Sequence, residues 1–182
     1  DGTDTLRNVE KIRFADEQVN LEVVSRANYQ WTMNGQSSVI DSVQTDGTQF
    51  DDVIDLTQGN LSGYKDNVNA GAGNDTIKTG DGKDWINAGE GDDDIDAGAN
   101  GLSGNTWSDW DEVRYDAASK RFTITKNTDG SFTVKDKLEA ALGGLGTDIL
   151  KNVERLSFND TSTSLVVEYN PNAWNNNING TN

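Results

Sequence analysis

The chain has 182 residues, room for one medium domain or two small ones with a buried core, and its 15 basic against 31 acidic residues leave a net charge of −16. That charge opposes binding to nucleic acid and to anionic membranes, and it makes the chain repel itself unless cations neutralise it. With neither cysteine nor histidine, disulfide frameworks, thiolate sites, zinc sites of the usual kind, imidazole-ligated haem and histidine-based triads are excluded, and no apolar run approaches the ~18 residues of a membrane span.

Residues 1–24 read DGTDTLRNVEKIRFADEQVNLEVV and residues 145–168 read LGTDILKNVERLSFNDTSTSLVVE. Gly2/Gly146, Thr3/Thr147, Asp4/Asp148, Leu6/Leu150, Asn8/Asn152, Val9/Val153, Glu10/Glu154, Phe14/Phe158, Asp16/Asp160 and Leu21/Leu165 match at a constant offset of 144. This predicts tandem modules of about that length in a longer parent protein. In both copies the alternation Ile12/Phe14 and Leu156/Phe158 predicts a half-buried strand, with Lys11/Arg13 and Arg155/Ser157 facing out. A second apolar strand is expected at Leu21 to Val24 and Leu165 to Val167. Asn34-Gly35, between Trp31-Thr-Met33 and Ser38-Val-Ile40, signals a type I′ hairpin. Residues 1–45 thus read as a flanking β segment: the end of a preceding unit, then a hairpin.

From residue 46 to residue 70 a degenerate pattern approaches a regular one. Asp52-Val-Ile54 and Asp66-Asn-Val68 keep an aspartate-x-aliphatic unit, with Tyr64 standing where a glycine belongs. Residues 71–98, GAGNDTIKTGDGKDWINAGEGDDDIDAG, then repeat in nines: Gly71, Gly73, Asp75, Ile77; Gly80, Gly82, Asp84, Ile86; Gly89, Gly91, Asp93, Ile95. A nonapeptide of this kind binds calcium in a parallel β-roll. The glycines give each turn the freedom to take positive φ and point carbonyls inward. Calcium takes six to eight hard oxygens, which carbonyls and one carboxylate per turn can supply from two stacked turns. Strand alternation after each turn sends the isoleucines to one inner side. Two repeats make one coil, so Asp75 and Asp93 are expected to share an ion. A flexible Gly/Asp linker has no reason to place isoleucine every ninth residue. An EF-hand is a poor fit because Asp92-Asp93-Asp94 lacks the loop's alternate-oxygen spacing, central glycine and closing glutamate.

These residues resemble the repeats of the RTX (repeats-in-toxin) exoproteins of Gram-negative bacteria. GlyThrAsp-x-Leu-x-AsnValGlu also resembles the flank that follows such repeats in large exoproteins. The resemblance implies an all-β fold, a parallel β-roll over residues 46–112 flanked by antiparallel strands and hairpins, with calcium as the cofactor. It further implies a secreted, extracellular or cell-surface location reached by type I secretion, which reads a C-terminal signal; no signal peptide opens the chain. Continuation of the coil through the degenerate units puts Asp66 on the edge of Asp84, and Asp52 on the edge of Asp75.

After Ile95 the pattern decays, and a wide insertion, residues 102–110, carries Trp107 and Trp110. Asp111-Glu-Val113 then restores the unit; Asp111 either closes a last site on the edge of Asp84 or, counted in nines, lies on the other edge. Residues 113–170 read as an antiparallel flank, with a hairpin turning at Asn127-Thr-Asp129-Gly130 and one helical turn at Leu138 to Leu142 before Gly143-Gly144. Residues 171–182 are a polar tail.

Three functions are compatible with this pattern. The first is a non-catalytic calcium-dependent structural module, folding outside the cell as part of a larger protein such as an adhesin, with neighbouring modules of the same chain as partners. The second is a carbohydrate-binding module in which Trp107 and Trp110 stack on a sugar; the competing expectation is that they cap the open end of the roll. The third is an appendage of a secreted enzyme. Asp92 and Asp94 could be drawn as a glycosidase pair, but acids in calcium turns are ordinarily solvated. Trp85 is expected to be covered by the flanking hairpins. Neither Trp31 nor Trp174 carries a spacing that singles it out. No nucleic-acid partner and no membrane insertion is expected.

Overall fold

A computed structural model describes residues 11–13, 18–20, 22–31, 38–57, 65–98 and 110–165. The described residues form β-strands joined by turns and two short 3-10 turns, at Ser119–Arg121 and Ala140–Leu142. The strands are β1 (Lys11–Arg13), β2 (Gln18–Asn20), β3 (Val24–Trp31), β4 (Ser38–Thr48), β5 (Val53–Asp55), β6 (Lys65–Ala72), β7 (Thr76–Lys78), β8 (Trp85–Glu90), β9 (Asp94–Asp96), β10 (Glu112–Tyr115), β11 (Phe122–Lys126), β12 (Phe132–Asp136), β13 (Thr147–Lys151), β14 (Arg155–Phe158) and β15 (Ser162–Ser164).

Successive strands alternate between two sheets, which is the signature of a roll. One sheet has the order β15-β14-β10-β8-β6-β4-β3, the other β11-β12-β13-β9-β7-β5, and β1 with β2 forms a separate antiparallel pair. From β4 to β10 the neighbouring rungs of each sheet are parallel. Rungs β7 to β10 are only three to six residues long because the pattern allows one or two inward side chains before the next turn. Register is exact: Thr45, Val68, Ile86, Val113 and Leu156 stand opposite one another in one sheet. Ile54, Ile77, Ile95 and Leu150 do so in the other. These two rows form the core, with Ile77, Ile86, Ile95, Val113, Leu150 and Leu156 wholly buried. Each such side chain contributes about 1.5–3 kcal/mol relative to exposure, and no single rung can bury its own.

The parallel ladder does not stop near residue 112. β10 pairs in parallel with both β8 and β14, and β13 pairs in parallel with β9. The antiparallel flank expected over 113–170 is therefore confined to the β11–β12 hairpin, β12's pairing with β13, and β15 on β14. The roll pauses after β10, inserts the hairpin, and resumes. Buried Asp136 anchors the insert by accepting from the Arg121 side chain and from the Leu138 and Leu145 N–H groups at 3.0 and 2.9 Å. Burial works to raise its carboxyl, but these donors outweigh it and hold the group low.

Other local expectations fare individually. The Asn127–Gly130 turn joins β11 to β12, and Ala140–Leu142 is one 3-10 turn ended by Gly143 at φ 82°. The Asn34-Gly35 turn lies outside the described residues, although β3 and β4 do pair antiparallel and close on Trp31 opposite Ser38. Of the strand expected at Leu165 to Val167 only Leu165 lies among the described residues, where it packs against the core directly after the exposed edge strand β15.

Candidate metal centre

Each carboxylate of the nonapeptide lies where its turn meets the next rung, with the aliphatic side chain two residues on locked in the core. The coil stacks these carboxylates into two ladders, one on each edge. On the first, the N–H of Asp52 donates to Asp75 Oδ1 (2.8 Å), that of Asp75 to Asp93 Oδ1 (2.8 Å), and that of Asp93 to Asp148 Oδ1 (3.1 Å). On the second, the N–H of Asp66 donates to Asp84 Oδ1 (2.9 Å), that of Asp84 to Asp111 Oδ1 (2.9 Å), and that of Asp111 to Glu154 Oε2 (3.0 Å). Asp75 and Asp93 are thus adjacent, Asp52 is on the edge of Asp75, and Asp66 is on the edge of Asp84. Asp111 falls on the edge of Asp84, which spacing alone left open.

Asp75, Asp84 and Asp93 each spend one oxygen on the neighbouring turn, and the other is what a cation would use. Asp66, Asp75, Asp84 and Asp93 are at most 2% exposed, and Oδ2 of all four, with Oδ1 of Asp66, accepts no hydrogen bond. A buried carboxylate oxygen with no donor is costly, and four recurring at one phase call for a common counter-charge. The ladders end differently. Asp52 Oδ2 accepts from the Thr48 N–H and hydroxyl at 2.7 and 2.9 Å, and Asp148 Oδ2 accepts from the Tyr115 hydroxyl at 2.7 Å. On the first edge, therefore, protein donors close both terminal carboxylates and leave Asp75 and Asp93 as the central pair.

The glycines complete the turns. Gly71, Gly73, Gly80, Gly82, Gly89 and Gly91 all have positive φ, from 98° to 153°. Close stacking adds a second requirement: a Cβ on Gly89 would lie 1.7 Å from the Gly71 carbonyl oxygen, and one on Gly91 1.9 Å from that of Gly73. Only glycine lets carbonyls of successive turns crowd together in this way. Among the described residues no group of three or more acidic side chains is arranged to hold a metal alone. The oxygens that a cation would meet here, carboxylates and backbone carbonyls, are all hard, with no nitrogen or sulfur, which suits calcium and not a transition metal.

Sequence reading missed Asp148 and Glu154 as ladder members, although both carry the signal, as Asp148-Ile-Leu150 and Glu154-Arg-Leu156. It also misplaced the cap. Ile95 is covered by Leu150 of β13, and Tyr115, Phe122 and Phe158 pack together in the same core, Tyr115 stacked on Phe158 and Phe122 tilted against both, with ring centroids 4.8 to 5.7 Å apart. The end that Trp107 and Trp110 were expected to cap is therefore not an end. Trp110 is half-buried beside β10, and Trp107 lies outside the described residues. Trp85 is not covered by the hairpins: it is 37% exposed on the outer face, with Lys83 Nζ 5.1 Å from its ring centroid. Asp92 is a turn residue, accepting from the Thr147 N–H at 2.7 Å.

Burial raises the ladder carboxyls in the metal-free fold. Asp66 is pushed up to about 8, with the Asp84 charge adding to the effect, and Asp84 to about 6. Asp75 rises to about 7 through burial and the Asp93, Asp52 and Asp51 charges. Asp148 also rises to about 7 by burial and the Asp93 and Asp92 charges, against the Tyr115 hydroxyl. These groups hold protons in the fold that an unfolded chain, with aspartate near 3.8, has released. The metal-free fold should therefore lose stability as pH rises from about 4 to about 8. Cation binding needs the ionised forms and should expel the protons. With chelator present, far-UV circular dichroism should show more β structure at pH 5 than at pH 8; a metal-free signal that does not fall as pH rises over that range would contradict it.

No helix among the described residues is long and apolar enough to cross a membrane. No curated protein matches the chain. Residues 62–105 match the RTX calcium-binding nonapeptide repeat in four copies, the stretch that supplies the central turns of both ladders, and this segment is accordingly an RTX calcium-binding β-roll.

Proposed function

We propose that the chain is a non-catalytic structural module that folds on binding calcium outside the cell, within a larger secreted or surface protein such as an adhesin. The observation that carries this reading is the set of buried, donor-less carboxylate oxygens on Asp66, Asp75, Asp84 and Asp93 beside glycine turns that no other residue could form. Asp75 and Asp93 would hold one ion with carbonyls of the Gly71–Gly73 and Gly89–Gly91 turns. Asp84, with Asp66 or Asp111 and the Gly80–Gly82 turn, would hold ions on the opposite edge. Calcium there supplies charge neutralisation and a crosslink between successive coils. Cytosolic calcium is too low to fill extracellular-type sites, with dissociation constants of about 10⁻⁴ to 10⁻³ M, so the chain would remain unfolded for export and fold on arrival. The near-repeat of residues 1–24 at 145–168 supports neighbouring modules of the same kind as partners.

Shared use of an ion gives the test. Asp75→Ala and Asp93→Ala should each weaken calcium binding, and the double variant should lose less than the sum of the two, because the first substitution already spoils the site. Additive losses in calcium titration calorimetry would mean that the two carboxylates serve different ions.

A further inference from the structure

The two similar segments also share a backbone arrangement. β14 pairs with β15 through Arg155↔Ser164, Leu156↔Thr163 and Ser157↔Ser162. β1 pairs with β2 through Lys11↔Asn20, Ile12↔Val19 and Arg13↔Gln18, the same three pairs displaced by the same offset. The hairpins differ in what lies on their other side. β14 is flanked by the parallel rung β10, whereas among the described residues β1 pairs with β2 alone.

The residues shared by the two segments are those that seal a roll. In the second segment the buried positions are Asp148, Leu150, Val153, Leu156 and Phe158. The first segment has Asp4, Leu6, Val9, Ile12 and Phe14 there, four identical and one leucine-to-isoleucine change. Gly146, matched by Gly2, has φ 93° and no room for a Cβ, which would lie 2.0 Å from the Gly91 carbonyl oxygen. Asn152, matched by Asn8, takes the left-handed turn at φ 55°. Glu154, matched by Glu10, ends the second carboxylate ladder. Positions that differ in chemical type, such as Ser157 against Arg13 and Asn159 against Ala15, are half-buried or exposed.

We propose that the β1–β2 pair closes another roll, and that β1 receives, on the edge left unpaired among the described residues, a parallel β10-type strand from a second copy of this calcium-roll unit. A unit would then begin at the β3–β4 hairpin and end at β15. The inference rests on the calcium-roll reading above, and it names the contact by which units meet: the edge of β1 set beside the last open rung of the roll before.

Interchangeability tests it. In the full-length chain, residues 145–164 are replaced by the sequence of residues 1–20, and thermal melting is followed with chelator and with millimolar calcium. The exchanged chain should melt within about 5 °C of the wild type in calcium, a shift worth one to two kcal/mol at this size, and should keep its calcium-induced rise. Ile12→Asp introduced into the transplanted copy, at the place of buried Leu156, should abolish that rescue. An exchanged chain that melts as low as its Ile12→Asp counterpart would overturn the proposal while leaving the calcium reading standing if the wild type still responds. A wild type indifferent to calcium would defeat the calcium reading, and the comparison of the exchanged chains would still decide interchangeability.

Discussion

Removing calcium is expected to unfold the roll, or to leave it so weakened that it melts near ambient temperature. The metal-free fold confines Asp66, Asp75, Asp84 and Asp93 with carboxylate oxygens that accept from nothing, within a chain of net charge −16. Each buried ion without a partner costs several kcal/mol, and protonation relieves that only as pH falls below about 8 for Asp66, about 7 for Asp75 and about 6 for Asp84. Against this stand two aliphatic rows, which suffice for a marginal domain. At calcium ten times its dissociation constant each site adds about 1.4 kcal/mol, and sites that share Asp84 would be filled together. Far-UV circular dichroism and melting with chelator, then with millimolar calcium, should show a large gain of β signal and of melting temperature. Magnesium should substitute poorly, because it demands a tighter octahedral shell and dehydrates reluctantly. A β spectrum and melting point indifferent to calcium would sink the proposed function.

Leu150→Ala is expected to cost about 2–5 kcal/mol of calcium-loaded stability, as much as Ile77→Ala in the middle of the repeats. Leu150 is fully buried and stands next to Ile95 as the last aliphatic residue of its row. The cavity would open under Val134 and the aromatic trio, which belong to the same core. Calcium affinity should fall as well, because β13 carries Asp148, whose Oδ1 accepts the Asp93 N–H. Ile124→Ala is the control: Ile124 is 38% exposed on the inserted hairpin and should change stability by about 0.5 kcal/mol or less. Urea unfolding in millimolar calcium separates them, and equal effects of the two substitutions would show that β13 is not a rung of the roll.

What the sequence by itself determined is whatever repeats at short range. Glycine at two phases, aspartate at a third and isoleucine at a fourth, returning every nine residues, specify the turn, the ligand and the inward side chain within one repeat. Hence the β-roll, the calcium-binding role, the adjacency of Asp75 and Asp93 and the edge of Asp66 were all legible. Tertiary structure alone decided everything that depends on where the count resumes after an interruption. Asp111 follows a long insertion that breaks the phase, so only strand pairing assigns it to the edge of Asp84. Asp148 and Glu154 follow the β11–β12 hairpin, and their aspartate-x-leucine and glutamate-x-leucine units read as a flank until β13 and β14 were seen to lie parallel to β9 and β10. The cap was illegible for the same reason. Tyr115 and Phe122 lie on the consecutive strands β10 and β11, but Phe158 comes from the distant β14, and no local period can announce a cluster that exists only when those strands are brought together.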